Sequence, residues 1–254
     1  MLVIRNVRSI QKNKYLYLLY KAMNKVGKSV GAVIVRMDKK DPLNIAINER
    51  NYVIYLSYIL GSLKGGVIGK YNKVLRTDFI NGEVYKQIES VADGGAKTAY
   101  ENFMKMKNEK HIQKRVEKVE SQDYVNVRPD FVIHTDHKKE YEYWGQKLIV
   151  EAKTTKEIDE IDFCWDLLKL NVYINEFCFQ NAIYILVNTS KADIENKIKF
   201  YTEKINYFTH DIQKLWFFIQ RWDGKKMSPI KIYQIDEEKN DTNNGSIISE
   251  TVCV

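Results

Sequence analysis

Three residues near the middle of the chain have the types and order needed to handle a phosphodiester. Asp130 stands in Arg128-Pro129-Asp130, ahead of the apolar run FVIHT, and Glu151 and Lys153 close the run KLIVEAK. Side chains two apart in a strand share a face, so Glu151 and Lys153 point the same way about 6.6 Å apart. If the two runs pair as an antiparallel hairpin, facing residues lie about 5 Å apart and one cation can touch both acids. Two carboxylates plus the backbone carbonyl of Ala152 form the hard-oxygen donor set that suits Mg²⁺ or Mn²⁺. Such a cation polarises a phosphoryl group and acidifies an attacking water. Lys153 would orient or deprotonate that water and stabilise the pentavalent charge. The plain alternative is an ordinary hairpin with solvent-facing Asp, Glu and Lys. It is weakened because Leu148, Ile149 and Val150 directly precede Glu151, which puts the acid at the end of a strand expected to be buried.

The surrounding pattern predicts the elements that would hold these groups. Helical character runs over Gly82–Val91 and Ala96–Lys107, and the alternating segment Ile112–Ser121 suits a partly exposed strand. The two site strands follow. A helix over Glu157–Phe177 carries Ile161, Trp165, Leu168, Val172 and Ile174 near helical spacing. AIYILVN (Ala182–Asn188) reads as a strand buried on both faces, then come a basic helix from Lys191 to about Phe208, the aromatic run KLWFFIQRW and the strand PIKIYQI. The order helix, three strands, helix, strand, helix, strand implies an α/β fold, a mixed central sheet flanked by helices, over residues 76–236. Residues 1–75 read as a small N-terminal α+β extension, a DNA-binding or dimerisation module, and residues 237–254 as a polar flexible tail.

Pro129-Asp130 followed by Glu151-Ala152-Lys153 resembles the signature of the PD-(D/E)XK nuclease superfamily, of restriction-endonuclease-like fold. The resemblance covers roughly residues 80–235, including the order of elements. It implies a Mg²⁺- or Mn²⁺-dependent deoxyribonuclease acting through Asp130, Glu151 and Lys153. It also implies a further acid from the preceding helix. Glu101 is the choice, because GGAKTAYENF resembles the Gly-rich entry and inward Glu of archaeal Holliday-junction-resolvase-like members; Glu89 and Glu83 are the other acids within reach. In RecB-like members the helix after the lysine strand carries Gln-x-x-x-Tyr. The equivalent here is Lys169-Leu-Asn-Val-Tyr173, with lysine in place of glutamine, either contacting DNA or simply exposed. Members with an iron–sulfur cluster use four cysteines, and Cys164, Cys178 and Cys253 are too few and wrongly placed. The N-terminal zone resembles AbrB-like swapped-hairpin DNA-binding modules, which implies a homodimer. The alternative is an extension packed on the nuclease core.

Other chemistries lack their residues. Gly27-Lys28-Ser29 has Ala22 where a phosphate-binding loop needs glycine, and the four histidines show no HExxH pattern. Three widely spaced cysteines form neither a disulfide framework nor a zinc site and fit a reducing compartment. No run is long enough to span a bilayer and no signal peptide is evident, so the expectation is a cytoplasmic protein, in the host cytoplasm if viral. The Lys-, Ile-, Asn- and Tyr-rich composition hints at an AT-rich mobile element or archaeal virus. A net charge of +7 favours a polyanion weakly, since 33 acidic residues accompany the 40 basic ones. The expected partner is double-stranded or branched DNA, with RNA as a further substrate class and no membrane. The competing reading is a non-catalytic DNA-binding or structural protein on a degenerate nuclease fold.

Overall fold

Side chains alternate across strands, and this sorts the apolar residues of one central sheet into two cores, one on each face. The computed structural model describes residues 1–28, 34–36, 45–65, 78–82, 86–87, 95–109, 126–127, 129–135, 145–209, 211–223 and 226–236. Numbered along the chain, the strands are β1 (Leu2–Arg5), β2 (Ile34–Arg36), β3 (Ile45–Ile47), β4 (Asp78–Gly82), β5 (Lys86–Gln87), β6 (Asn126–Val127), β7 (Phe131–Thr135), β8 (Gln146–Lys153), β9 (Ala182–Val187), β10 (Leu215–Gln220) and β11 (Lys231–Ile235). Seven form the central sheet in the order β1-β11-β10-β9-β8-β7-β4, while β2 pairs with β3 and β5 with β6. The central strands β8, β9 and β10 run parallel; the pairings toward both edges are antiparallel. Every residue of β9 and β10 is buried, as expected of parallel strands covered on both faces.

Helices α1 (Val7–Gln11), α2 (Lys14–Lys28) and α3 (Glu49–Gly65) cover one face, over Phe131, Val150, Ile185 and Phe218. Helices α4 (Gly95–Glu109), α5 (Glu160–Asn175) and α6 (Lys191–Lys204) cover the other, over Val132, Ile149, Tyr184 and Phe217. In α2, Leu16, Leu19, Met23 and Val26 recur at three- and four-residue spacing and are fully buried, with lysines on the outer side. Asp159 caps α5 by accepting from the Ile161 N–H, and Ser190 caps α6 by accepting from the Asp193 N–H. No helix among the described residues is long and apolar enough to cross a membrane.

The mixed sheet with helices on both faces is the expected α/β architecture. Three details differ from the sequence reading. The helix expected over Gly82–Val91 is absent where the structure describes that stretch: β4 ends at Gly82 and Lys86–Gln87 is a strand. A segment as short as Lys86–Gln87 carries no period of its own, and pairing with β6 decides it. Helices α2 and α3 pack on the face of the central sheet, as the alternative of an extension packed on the core has it, but β1 is also an edge strand of that sheet, beside β11. Cys164 is free and buried, whereas Cys178 is disulfide-bonded, which an odd and scattered set of cysteines gave no reason to expect. The strand expected at 112–121, the tail, His111, His137, His210, Glu83, Glu89, Arg128 and Cys253 lie outside the described residues.

Candidate active site

The last pair of the β7–β8 ladder is Phe131 opposite Val150, so Asp130, just before β7, and Glu151, on β8, sit just beyond it. Alternation puts both on the α5 side of the sheet, with Val132, Ile149 and Lys153. Past Phe131, no strand among the described residues pairs with β8 on that edge, and the Ala152 N–H donates to Asp130 Oδ2 at 2.7 Å. A strand residue's N–H and C=O leave by the same edge, so the Ala152 carbonyl also points toward Asp130.

Helix α5 lays Asp166, Lys169 and Tyr173 over these groups at i, i+3 and i+7, one stripe of a helix. Lys169 Nζ lies 2.7 Å from Glu151 Oε1 and 2.9 Å from Asp166 Oδ1. Lys153 Nζ lies 3.4 Å from Asp166 Oδ2 and 3.3 Å from Glu49 Oε1. The Tyr184 hydroxyl, on β9, donates to Asp166 Oδ2 at 2.9 Å. Asp166 is therefore the hub that both ammonium groups share. Glu49 arrives from the opposite layer, in the first turn of α3. Asn48 caps that helix, accepting from the Asn51 N–H at 2.9 Å. The Thr154 hydroxyl donates to the Ile47 carbonyl at 2.7 Å, which ties the start of α3 to the end of β8.

Counted formally, four carboxylates face two ammonium groups, an excess of two negative charges in a largely buried setting. Burial, more than that excess, sets the protonation equilibria. Burial pushes the Asp130 carboxyl up to about 6, with Glu49 adding to it, against the Ala152 N–H and the two lysines. Burial also holds Glu151 well above the usual carboxylate range, with Lys169 opposing and Asp166 and Asp130 reinforcing. For Lys153, burial disfavours the charge, but Asp166 and Glu49 outweigh it and hold the ammonium protonated well above its ordinary range. Lys169 is held charged in the same way by Glu151 and Asp166. Lys153 is thus a cationic donor, and of the two roles expected for it, deprotonating a water is the one its surroundings oppose.

The residues fit a divalent cation as an open site. Glu151 Oε1 is buried and accepts no hydrogen bond of good geometry, although Lys169 Nζ is its close ionic neighbour. Among the described residues no three Asp, Glu, His or Cys side chains converge as a ready-made cage, since the two lysines stand between the acids. Mg²⁺ does not need such a cage; one or two carboxylates, with water and phosphate, suffice. Asp130 and Glu151, with the Ala152 carbonyl, supply that number, and the two-charge excess equals the charge of one divalent ion.

Other expected residues lie elsewhere. Glu101 is exposed on α4, whose Ala96, Ala99, Phe103 and Met106 face the core and turn it outward; the structure brings Glu49, not Glu101, to the cluster. Lys169 and Tyr173 are buried, not exposed: Lys169 is ion-paired, and Tyr173 packs against the rings of Phe177 and Phe179. Trp216, Phe217 and Phe218 are buried in β10. Asp166 had one signal, a charged pair with Lys169 at i, i+3 in the apolar middle of its helix. Glu49 and Tyr184 had none, because contacts between distant segments bring them in. Neither a family model, nor a curated protein, nor a solved structure matches this chain.

Proposed function

We propose that the chain is a Mg²⁺- or Mn²⁺-dependent deoxyribonuclease of PD-(D/E)XK type, hydrolysing phosphodiesters at the Asp130–Glu151–Lys153 cluster. The observation that carries this reading is that all three side chains lie on one face at the adjoining ends of two paired strands, in a buried cluster of four carboxylates and two ammonium groups. A helix and a buried strand follow in the order the resemblance implies. A cation held by Asp130, Glu151 and the Ala152 carbonyl would polarise the phosphoryl oxygen and acidify the attacking water.

The chain's own residues take the remaining roles. Lys153 Nζ, held protonated, donates to the incoming water or to a phosphoryl oxygen and offsets the charge that develops there. Glu49 stands beside Lys153 with its side chain 38% exposed, the acid of the cluster best placed to accept a proton from water arriving from solvent. Asp166 positions Lys153, and Lys169 and Tyr184 position Asp166.

The test incubates plasmid, single-stranded and branched DNA with Mg²⁺ or Mn²⁺ and the wild type, Asp130→Ala or Lys153→Ala. Cleavage by the wild type alone is the expected result; equal cleavage by all three proteins sinks the assignment. The close Lys169–Glu151 contact favours a second reading, a non-catalytic DNA-binding protein on a degenerate nuclease fold. Binding without cleavage in either metal selects it. Matched RNA substrates separate the RNA-directed case.

A further inference from the structure

The whole-chain charge count hides where the charge lies. Residues 1–28 hold seven of the 40 basic residues and none of the 33 acidic ones, so the other 226 residues carry 33 of each and are net neutral. The entire +7 sits on β1, α1 and α2. Arg8, Lys12, Lys14, Lys25 and Lys28 are exposed there. At 100° per residue, Lys14, Lys21, Lys25 and Lys28 fall within about 60° of arc on α2 and span about 21 Å of its length. Lys21 Nζ lies 4.6 Å from the centre of the Tyr17 ring on the same stripe. On the basic helix α6, Lys191, Lys197 and Lys199 each meet an acid of the same helix at i+4 or i−4, namely Glu195, Asp193 and Glu203, whereas the sequence of α2 contains no acid.

We infer that the lysine stripe of α2, with Arg8 and Lys12 at its foot, is a track for the phosphate backbone of double-helical DNA. This deepens the nuclease reading, on which the nature of the partner rests. A basic stripe along one helix is the electrostatic footprint of nucleic-acid binding. An anionic membrane fits less well, because a helix lying on a bilayer needs an apolar face turned outward. The apolar face of α2 is spent on the core, with Leu19, Ala22, Met23 and Val26 fully buried.

The track also leads to the site. Lys153 lies opposite Leu186 on β9, and Leu186 opposite Ile219 on β10, in one row across the sheet. The C-terminal end of α2 meets the next residue along β10: a Cβ on Gly27 would lie 3.7 Å from Gln220 Nε2 and 3.1 Å from Met227 Cβ. Lys25 and Lys28 therefore stand at the sheet end where the acid cluster lies, about two strand spacings, roughly 10 Å, from the Lys153 strand. Glu49 shows that the α2–α3 layer reaches around that end.

The test titrates a labelled DNA duplex of three helical turns with the full chain in EDTA, over a series of salt concentrations. The triple variant Lys14→Gln, Lys25→Gln, Lys28→Gln should lower the slope of log affinity against log salt by about 2–3 and weaken binding roughly tenfold or more. The charge-matched triple Lys191→Gln, Lys199→Gln, Lys204→Gln on α6 should leave the slope nearly unchanged. The corresponding α2 triple to arginine should bind like the wild type, and thermal unfolding confirms that each variant folds. Equal losses from the α2 and α6 triples, or no loss from the α2 triple, overturn the proposal. So does binding to phosphatidylserine vesicles through the α2 lysines without binding to the duplex. EDTA keeps the measurement independent of cleavage. A chain that binds through α2 but never cuts removes the nuclease reading and keeps the track, whereas one that cuts with no α2 dependence removes the track alone.

Discussion

The ammonium of Lys169 on α5 lies 2.7 Å from Glu151 Oε1 on β8, and the two side chains are 7% and 3% exposed. Helix and strand are joined at the centre of the candidate site by a buried ion pair. Such pairs contribute little over an apolar substitute, but breaking one leaves an uncompensated charge and costs about 3–5 kcal/mol. Lys169→Met should therefore lose roughly 3 kcal/mol in urea unfolding with EDTA present. Added Mg²⁺ should raise the variant's Tm more than the wild type's, because the cation then offsets Glu151 and Asp166 directly. Equal metal responses would count against a cation at Glu151.

Glu49 and Glu101 make opposite predictions. Glu49 pairs with Lys153 at 3.3 Å and is 38% exposed, so Glu49→Gln should change stability by no more than about 1 kcal/mol. Cleavage should nevertheless fall tenfold or more, since the Lys153 ammonium loses one of its two partners and the cluster its solvent-facing acid. Glu101→Gln, on the outer face of α4, should leave both unchanged. Initial rates on plasmid DNA, beside thermal unfolding, decide it; a loss for Glu101→Gln alone would reassign the helix acid.

Asp130 links pH to both function and stability. Its carboxyl, pushed up to about 6 from an ordinary 3.8, carries a proton below that value and is free to hold a cation above it. Metal-dependent cleavage should rise as pH passes through about 6. The folded state binds this proton more tightly than the unfolded chain does. The resulting stabilisation is fully present below the unfolded value and is lost as pH rises through the folded one, an amount on the order of 3 kcal/mol. Asp130→Asn, which cannot ionise, should be inactive yet more stable than wild type near neutral pH. Urea melts from acid to neutral pH would show this; an Asn variant less stable at neutral pH would contradict the assigned burial cost.

Tyr184 is fully buried and its hydroxyl donates to Asp166 Oδ2. Tyr184→Phe removes that donor while Lys153 and Lys169 still flank the acid, so the cost should be about 1–2 kcal/mol. Cleavage should fall several-fold through kcat, with duplex affinity unchanged, because Asp166 acts by positioning Lys153. An unaltered kcat would show that the hydroxyl serves the core alone.

Local order was legible in the chain wherever a strong period or a cap marks it. The apolar runs at Phe131–Thr135, Gln146–Lys153 and Ala182–Val187 announce buried strands, and the spacing of Glu151 and Lys153 puts them on one face through the pleat alone. The pairing that sets Asp130 beside Ala152 follows from those same two strands. What the chain could not show from its local patterns was which distant segments close over that face. Glu49 lies 104 residues before Lys153 and belongs to a zone that reads as an extension. It reaches the site because α2 and α3 must bury their apolar faces on the uncovered side of the sheet. Lys169 reads as a cation that contacts DNA or is simply exposed, and only the packing of α5 against β8 turns it inward to Glu151. The acids near the site were visible by type; which of them share its charge was decided by burial, which no local pattern encodes.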